Sequence, residues 1–222
     1  MCEAPSVNPD ELLPALRAAF DDFPESELPR DPRFAEVLEA VGGLATPNTL
    51  ALVAAAASLV GPGECYVEVG TFKGASLISA LVANPGLEAV AIDSFVMGDG
   101  SRERLEENLA RFGVAGRPAV LEGDVFELVP AGALEGRRIG VWYYDAAHDY
   151  ESQLRGLQIA EPYLVDGALL VVDDTDWERV ESAIRDYLAG QPRARRVLTV
   201  EGKDRGRPHW WEGMQVLAWR AV

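Results

Sequence analysis

From residue 65 onward, the chain alternates between short β-rich runs and stretches whose apolar residues recur at helical spacing. Predicted helices lie near residues 74–83, 101–112, 149–160 and 177–189. They alternate with predicted strands at Cys65–Val69, Ala89–Asp93, Pro118–Glu122, Ile139–Tyr144, Ala168–Asp173, Arg196–Val200 and Met214–Trp219. Strands that alternate with helices need right-handed crossovers, which give a parallel sheet with helices on both faces. The pattern therefore predicts a doubly wound α/β fold, which binds its ligand outside the carboxyl ends of its strands.

The two ends of the chain depart from this rhythm. Only the loop Glu201–Gly213 joins the last two predicted strands, so we expect them to form an antiparallel hairpin at the sheet edge. Two helical patches, Glu11–Phe20 and Arg33–Val41, lie in a proline-containing segment at the start. They predict an N-terminal helical extension over residues 1–45, followed by a main domain over residues 46–222.

The chain is strongly acidic, with 36 Asp and Glu against 20 Lys and Arg among 222 residues and a formal net charge of -16. Such a field repels phosphate backbones and anionic membrane surfaces, so we expect neither nucleic acid nor a membrane as a partner. No apolar run approaches the ~18 residues of a membrane span, and the acidic N-terminus lacks the features of a signal peptide. Cys2 and Cys65 are interpreted as free thiols in a reducing compartment, which predicts a cytoplasmic protein.

A glycine-containing turn follows the first predicted strand, in the sequence Glu68-Val-Gly-Thr-Phe-Lys-Gly-Ala-Ser76. Gly70 and Gly74 leave room for a ligand near the backbone, and the following helix offers free N–H groups at its start. Their G-x-x-x-G spacing differs from the dinucleotide pattern G-x-G-x-x-G and from a phosphate loop ending in Gly-Lys-Ser/Thr. Because the Glu68 carboxylate would repel a pyrophosphate and attract an ammonium group, a nicotinamide oxidoreductase is a disfavoured alternative.

Two further acids lie at the ends of the next two predicted strands. Asp93, followed by Ser94, can accept two hydrogen bonds from a ribose diol. Asp124, between Gly123 and Val125, can hold the polar edge of an adenine. Each acid alone is more often a turn or cap residue, but acids at the ends of three successive strands favour a shared ligand site.

The segments EVGTFKG, Asp93 and GDV resemble the cofactor site of the class I S-adenosylmethionine-dependent methyltransferases. The resemblance runs from about residue 46 to the C-terminus and implies a Rossmann-like, mostly parallel sheet of seven strands. It implies that Glu68 and Gly70 lie near the methionine part of S-adenosylmethionine. It also implies that Asp93 binds the ribose hydroxyls and that Asp124 lies beside the adenine. The predicted cofactor-binding residues are Glu68, Gly70, Thr71, Gly74, Ser76, Asp93, Ser94, Gly123, Asp124, Val125 and Asp145.

A second group of acids follows the fourth and fifth predicted strands, where Asp145 ends one run and Asp173 and Asp174 end the other. Adjacent strands would bring these carboxylates close together, which is costly unless one is protonated or a cation lies among them. Hard oxygen ligands favour Mg²⁺, or another hard divalent cation, over zinc. His148 lies one helical turn after Asp145 and is the predicted catalytic base.

Structural roles are open for several residues of this region. Asp173 or Asp174 can be a simple loop acid, and Asp149 is a plausible N-cap for the following helix. Thr175 and Glu178 have the spacing of a capping box, which would explain Thr175 without a functional role.

The arrangement resembles the cation-dependent small-molecule O-methyltransferases of the catechol and caffeoyl-CoA type. Those enzymes carry an Asp after the fourth strand, an Asp-Asn pair after the fifth and a Lys base. Here Asp174 stands in place of the Asn and His148 in place of the Lys. Both features are similar to the macrocin-type sugar O-methyltransferases, whose pattern has D-x-x-H and a paired Asp. The predicted metal ligands are Asp145, Asp173 and Asp174.

These observations predict an S-adenosylmethionine-dependent O-methyltransferase that acts on a hydroxyl of a small-molecule metabolite with the help of a divalent cation. A metal-independent methyltransferase and a non-catalytic S-adenosylmethionine-binding subunit stay open as alternatives. Trp177, Trp210 and Trp211 are candidates to line the acceptor pocket, with the N-terminal segment and the loop Phe95–Gly100. Lys203, Arg205 and Arg207 form either a solvated hairpin tip or a site for an acidic acceptor. We also expect a homodimer that forms through the N-terminal helices.

Overall fold

The structure is a computed structural model that describes residues 7–221. Its seven strands form one sheet in the order β3-β2-β1-β4-β5-β7-β6. The strands are β1 (Cys65–Val69), β2 (Ala89–Asp93), β3 (Pro118–Glu122), β4 (Ile139–Tyr144), β5 (Leu164–Val172), β6 (Ala194–Val200) and β7 (Met214–Trp219). The first five run parallel, and β7 is antiparallel to both β5 and β6. The predicted doubly wound sheet with an antiparallel edge hairpin is confirmed.

Two strands differ from their predicted bounds. β5 begins at Leu164 and ends at Val172, so Asp173 follows the strand instead of ending it. Asp166 and Gly167 break the apolar run, and the strand continues past them with a local irregularity, since Gly167 has a φ of +81° and the register against β4 shifts between Ile139 and Val141. β6 begins two residues earlier than predicted, at Ala194. The chain therefore leaves the sheet directly before the paired aspartates.

Helices cover both sides of the sheet. They are α1 (Leu12–Ala19), α2 (Arg33–Val41), α3 (Pro47–Ala57), α4 (Ala75–Ala83), α5 (Arg102–Arg111), α6 (Val125–Leu128), α7 (Tyr150–Gln158) and α8 (Glu178–Gly190). Helices α1 and α2 pack against α3 and α4, and α7 packs against α8. The short α6 is absent from the sequence prediction because a single turn has no periodicity to detect. Within residues 7–221, no helix has the length and apolar character needed to cross a membrane.

The start of α8 differs from its predicted capping. Its N-cap is Trp177, which makes no side-chain capping hydrogen bond, so the predicted capping box between Thr175 and Glu178 is wrong. Thr175 is buried in the preceding turn, where its N–H donates to the Gly213 carbonyl at 3.2 Å. The hydrogen bond from Thr175 to Gly213, directly before β7, therefore fixes the backbone ahead of α8 in place of a capping box.

The loop between β6 and β7 packs on the N-terminal segment. Trp210 is fully buried, with its ring 5.4 Å from the Phe20 ring and 5.6 Å from the Phe23 ring between centroids. Its Nε1 donates to the Pro24 carbonyl at 2.7 Å, and His209 Nε2 lies 3.2 Å from the same oxygen. Trp210 is therefore a core residue, and its assignment to the wall of an acceptor pocket is wrong.

The basic residues of this loop all pair with acids of the same chain, namely Lys203 with Glu212, Arg205 with Asp176 and Arg207 with Glu25. The basic side chains are partly exposed, whereas the side chains of Glu212 and Asp176 are buried, so solvent screens these pairs only in part. Their main effect here is to hold the loop against the N-terminal segment and the turn after β5. A role in binding an acidic acceptor stays a prediction.

Candidate functional site

The carboxyl ends of β1 and β4 meet at Gly70. The Asp145 N–H donates to the Val69 carbonyl at 2.9 Å, and Gly70 has a φ of +91°. A Cβ on Gly70 would lie 1.8 Å from the Asp145 carbonyl oxygen. Glycine is therefore required by the backbone conformation and also by the close approach of a second chain segment. This contact brings Asp145 directly to the glycine turn.

Asp93 joins two loops at the end of β2. Its Oδ2 accepts the Phe72 N–H at 2.6 Å, and its Oδ1 accepts the Phe95 N–H at 2.6 Å. Phe72 and Phe95 have positive φ values of 51° and 52°, an uncommon conformation for residues with side chains. The carboxylate thus holds the glycine turn and the loop after β2 in strained conformations, while the neighbouring Ser94 is exposed. Each carboxylate oxygen has a second lone pair for a ligand.

Glu68 lies beneath the glycine turn with no exposed surface. Its carboxylate accepts hydrogen bonds from the hydroxyls of Tyr66 and Ser76, the latter at 2.9 Å. Burial raises the pKa of Glu68 to about 7, and the hydrogen bonds oppose that shift. Thr71 is buried in the same turn, and Gly74 begins α4 with a φ of +92°. Glu68 therefore links Tyr66 on β1 to Ser76 on α4 and supports the glycine turn between them.

The remaining predicted cofactor residues follow β3. The Gly123 N–H donates to the Asp93 carbonyl at 2.9 Å, which ties the ends of β2 and β3 together. Asp124 is exposed, and its Oδ1 accepts the Phe126 N–H at 2.8 Å, so it is the N-cap of α6. Val125 is buried. Capping therefore uses one oxygen of Asp124, which agrees with the alternative that Asp124 is a helix-cap residue.

Acids from the ends of β4 and β5 form one cluster. Asp145, His148 and Asp174 each offer a ligand atom, and these atoms lie within 4.8 Å of one another. Asp173 lies beside this group but is differently engaged, because its Oδ1 accepts the Asp174 N–H at 2.9 Å and its Oδ2 accepts the Tyr143 hydroxyl at 2.7 Å. The predicted ligands Asp145, Asp173 and Asp174 therefore lie near one another, but the group whose ligand atoms are within 4.8 Å contains His148 in place of Asp173.

Asp174 is turned towards His148 by an unusual backbone conformation. Its φ is +56°, and its Oδ2 lies 3.1 Å from His148 Nε2. The other atoms of the pair, Asp174 Oδ1 and His148 Nδ1, are buried and have no hydrogen-bond partner among the described residues. An unpaired buried polar atom costs about 1–3 kcal/mol, and strain together with unpaired atoms is typical of functional sites.

The electrostatics of the cluster favour neutral forms of its members. Burial, followed by the charges of the neighbouring aspartates, raises the pKa of Asp145 well above its usual value. The pKa values of Asp173 and Asp174 are raised as well, again mainly by burial. Burial lowers the pKa of His148, so its imidazole is neutral at pH 7. A cation bound within the cluster would offset the free-energy cost of keeping these buried carboxylates charged.

We expect the stability of the protein without divalent cations to fall as the pH rises from 5 to 8. A buried acid with a raised pKa binds more protons in the native state than in the unfolded state, so its contribution is present at low pH and lost as the pH rises through its native pKa. The pKa of Glu68 rises from its ordinary value of 4.5 to about 7 in the native state. A shift of this size changes the free energy of unfolding by at most about 3 kcal/mol. Thermal unfolding measured in EDTA at pH 5 and pH 8 tests this sign. The change should be smaller in Glu68→Gln, and a melting temperature that rises over this interval would contradict it.

A groove lies beside His148 between the N-terminal ends of α7 and α8. Its volume is about 670 Å³, and its lining residues are Tyr150, Trp177, Glu178, Arg179 and Ser182. The Trp177 ring meets the His148 imidazole edge to face at 5.3 Å between centroids, and the Arg179 guanidinium lies 5.3 Å from the Trp177 ring centroid. The groove thus gives an aromatic and cationic surface next to the acid cluster.

Three residues of the site are absent from the sequence prediction. Tyr66 and Tyr143 were counted only as strand residues, yet each lies two positions before an acid and shares its face of the sheet, which is the period of a β-strand. That spacing could have indicated both contacts. Glu212 is buried beside Asp174, whose pKa its charge raises, and it binds Lys203. No local pattern marks Glu212, because its position depends on the pairing between the turn after β5 and the chain before β7.

Comparisons with known proteins concern the domain and the fold of the chain. Residues 67–175 match the family model described as a methyltransferase domain. The cofactor-bound structure of Rv0187 from MTB has 23% sequence identity and a TM-score of 0.63, with 86% of this chain and 91% of that chain covered. An O-methyltransferase from Bacillus cereus in complex with SAH has 16% identity and a TM-score of 0.60, with 86% and 92% covered. The O-methyltransferase TomG from Streptomyces achromogenes, in complex with SAM, has 18% identity and a TM-score of 0.58, with 96% and 90% covered. No curated protein matches the chain.

The matched segment runs from β1 to the turn after β5. It contains the glycine turn, Asp93, Asp145 and the paired aspartates, and the solved structures share the overall fold. The segment from β1 to the turn after β5 therefore carries a methyltransferase domain, and the chain has the fold of these solved structures.

Proposed function

We propose that the chain transfers a methyl group from S-adenosylmethionine to a hydroxyl oxygen of a small molecule, assisted by a divalent cation. The observation that carries the proposal is the group of Asp145, His148 and Asp174 at the edge of the glycine turn. Solved structures of the same fold include proteins named O-methyltransferases, which supports oxygen as the acceptor atom.

The residues around the glycine turn fit S-adenosylmethionine, which supplies an electrophilic methyl group when bound. Asp93 is half-buried, and each of its oxygens accepts one backbone N–H and keeps a lone pair for a ribose hydroxyl. Glu68 is fully enclosed, so we assign it an indirect role in which it holds Ser76 and the turn. Thr71, Gly74, Ser94, Gly123, Asp124 and Val125 remain proposed cofactor residues by their location.

The acid cluster fits a hard divalent cation such as Mg²⁺ or Mn²⁺, which supplies Lewis acidity that lowers the pKa of a hydroxyl. Asp145 and Asp174 would hold it, because Asp174 Oδ1 is buried without a partner among residues 7–221 and both carboxylates carry an electrostatic penalty. Asp173 completes the acidic surroundings through its contact with Tyr143. The chemistry of this donor set, which consists of carboxylate oxygens, suits a hard cation and does not suit a thiolate-type site.

His148 is the proposed general base. In the neutral tautomer that carries its proton on Nε2, the ring donates to Asp174 Oδ2 at 3.1 Å and leaves a lone pair on Nδ1. Asp174 and the Trp177 edge contact fix the orientation of the ring. His148 Nδ1 would take the proton of the acceptor hydroxyl once the side chains that cover this buried atom move aside. The low pKa of His148 keeps it in the proton-accepting form at neutral pH.

The acceptor is proposed to enter along the groove at Trp177. A planar hydroxylated compound can stack on Trp177 and Tyr150, and Arg179 can meet an anionic substituent. A pair of vicinal oxygens would suit the cation, since two ligands from one acceptor fix its position. The groove therefore favours a small aromatic or cyclic diol.

Chelation tests the role of the cation. With 3,4-dihydroxybenzoic acid and other vicinal diols as probe acceptors, formation of S-adenosylhomocysteine should fall by roughly 10²-fold or more in excess EDTA, because the hydroxyl then ionises without Lewis acid assistance. Mg²⁺ or Mn²⁺ in excess should restore the rate. Ca²⁺ serves as a control for ionic strength and charge.

Full turnover in EDTA would refute the cation role and favour the metal-independent methyltransferase. S-adenosylhomocysteine binding in calorimetry without turnover of any probe would favour the non-catalytic subunit. These two results leave different parts of the proposal standing, so they can be told apart.

A further inference from the structure

Tyr143 lies at the centre of the acid cluster although no motif of the sequence includes it. It is 2% exposed in the central strand β4, where its register partners are Glu68 on β1 and Val171 on β5. Its hydroxyl oxygen lies 3.0 Å from Asp145 Oδ2 and 2.7 Å from Asp173 Oδ2. One phenol thus bridges acids that come from two neighbouring strand ends.

The bridge opposes a repulsion. Asp145 and Asp173 are carboxylates in a poorly solvated site, and each raises the energy of the other when both are charged. Free side chains would rotate apart to reduce this cost. Because the Tyr143 oxygen is within hydrogen-bond distance of both, and because its aromatic ring is fixed in the core, it keeps the two carboxylates at a set separation and rotation.

Asp173 acts mainly as the second anchor of this bridge. Its Oδ1 accepts the Asp174 N–H at 2.9 Å and its Oδ2 accepts the Tyr143 hydroxyl, so each oxygen has a partner inside the protein. Asp173 therefore fixes the backbone of Asp174 on one side and the phenol on the other. Asp145 and Asp174, the proposed ligands, are both positioned by contacts that pass through Asp173.

We propose that Tyr143 is a positioning residue that pre-arranges Asp145 for a divalent cation, a role that rests on the proposed function. Its hydroxyl contacts the carboxylates of Asp145 and Asp173, and it acts through the Asp145 carboxylate that it orients. Partners that orient a metal-binding side chain typically change metal affinity by 10–100-fold when they are removed.

The test is Tyr143→Phe, which removes the hydroxyl and keeps the ring in the core. We expect Mn²⁺ affinity, measured by isothermal titration calorimetry on the full chain, to fall by about 10-fold or more. Affinity for S-adenosylhomocysteine should stay within about twofold, because the glycine turn and Asp93 are untouched. That split separates positioning from a general loss of structure.

Tyr66→Phe is the matched control. Tyr66 is an equally buried phenol on the adjacent strand β1, and its hydroxyl binds Glu68 instead of Asp145. This variant should keep wild-type Mn²⁺ affinity. A comparable loss of Mn²⁺ affinity in both variants would overturn the proposal, since any buried phenol would then have the same effect.

Two further outcomes distinguish a failure of the positioning role of Tyr143 from a failure of the cation role of the cluster. Equal Mn²⁺ affinity of wild type and Tyr143→Phe would overturn the positioning role and leave the proposed function intact. A wild-type chain that binds no Mn²⁺ in the presence of S-adenosylhomocysteine would overturn the cation role and the positioning role together.

Discussion

Replacing Asp145 with Asn is expected to reduce methyl transfer by about 10³-fold, equivalent to roughly 4 kcal/mol of transition-state stabilisation. The amide keeps the shape of the carboxylate and a contact with Tyr143, but it removes the charge on which the proposed cation depends. Turnover of a vicinal diol and S-adenosylhomocysteine affinity, measured side by side, check the result. The affinity should change little, because the Gly70 contact uses only the Asp145 backbone.

The same variant should be more stable than the wild type at pH 8 without cations. Burial and the neighbouring aspartates make a charged Asp145 unfavourable, so a neutral side chain removes a cost, and a gain of about 1 kcal/mol corresponds to roughly 2–4 °C in melting temperature. At pH 5 the difference should shrink, because the raised pKa of the wild-type acid makes a larger fraction of it neutral as the pH falls.

Asp149→Asn is the matched control for Asp145→Asn. Asp149 lies four residues further on and caps α7 through the Ser152 N–H at 3.0 Å, a role that Asn fills equally well. It should keep wild-type turnover and stability. If Asp145→Asn retained more than about a tenth of the activity, which is a loss of less than 1.4 kcal/mol, the assignment of Asp145 would be wrong.

Gly70→Ala is expected to destabilise the protein by about 4 kcal/mol or more, at the upper end for single substitutions. The added Cβ would lie 1.8 Å from the Asp145 carbonyl oxygen, and backbone on both sides prevents a small local adjustment. The ends of β1 and β4 would have to separate, which disturbs the glycine turn and the acid cluster together. Urea denaturation measures the loss, and S-adenosylhomocysteine binding measures its effect on the site.

Gly63→Ala separates steric overlap from backbone strain. Gly63 has a similar positive φ of 74°, but an added Cβ there meets no atom within 4 Å. Only the cost of a left-handed alanine remains, about 1–2 kcal/mol. Equal losses in the two variants would show that conformation alone, and not the approach of Asp145, requires glycine at position 70.

The strand ends of this protein could be predicted from the sequence because the pattern is local. Short runs rich in apolar residues mark β1, β2 and β4 as buried strands, although Glu68 interrupts β1 and Asp93 ends β2. A parallel sheet must present the carboxyl ends of such strands on one edge. Asp93 and Asp145 follow from that rule alone. The proximity of Asp174 to Asp145 follows from the adjacency of β4 and β5.

Features that depend on register and on side-chain rotation could not be predicted. The sequence gives no sign that Asp174 adopts a positive φ and faces His148, whereas Asp173 faces Tyr143. A run such as Tyr143-Tyr144 at a strand end is also compatible with plain core packing. The assignment of Trp210 to a pocket wall was wrong because its loop is rich in charged residues, which suggests exposure, whereas Trp210 is fully buried.

The anchoring of the β6–β7 loop on the N-terminal segment links distant parts of the chain. Trp210 Nε1 donates a hydrogen bond to the Pro24 carbonyl. In the same loop, the Glu212 carbonyl accepts the N–H of Asp176, two residues past Asp174, at 2.7 Å. The N-terminal segment thereby supports the turn that carries a proposed cation ligand, through a loop that lies far from it in sequence. Loosening of the Trp210 contact would therefore be transmitted to the neighbourhood of Asp174.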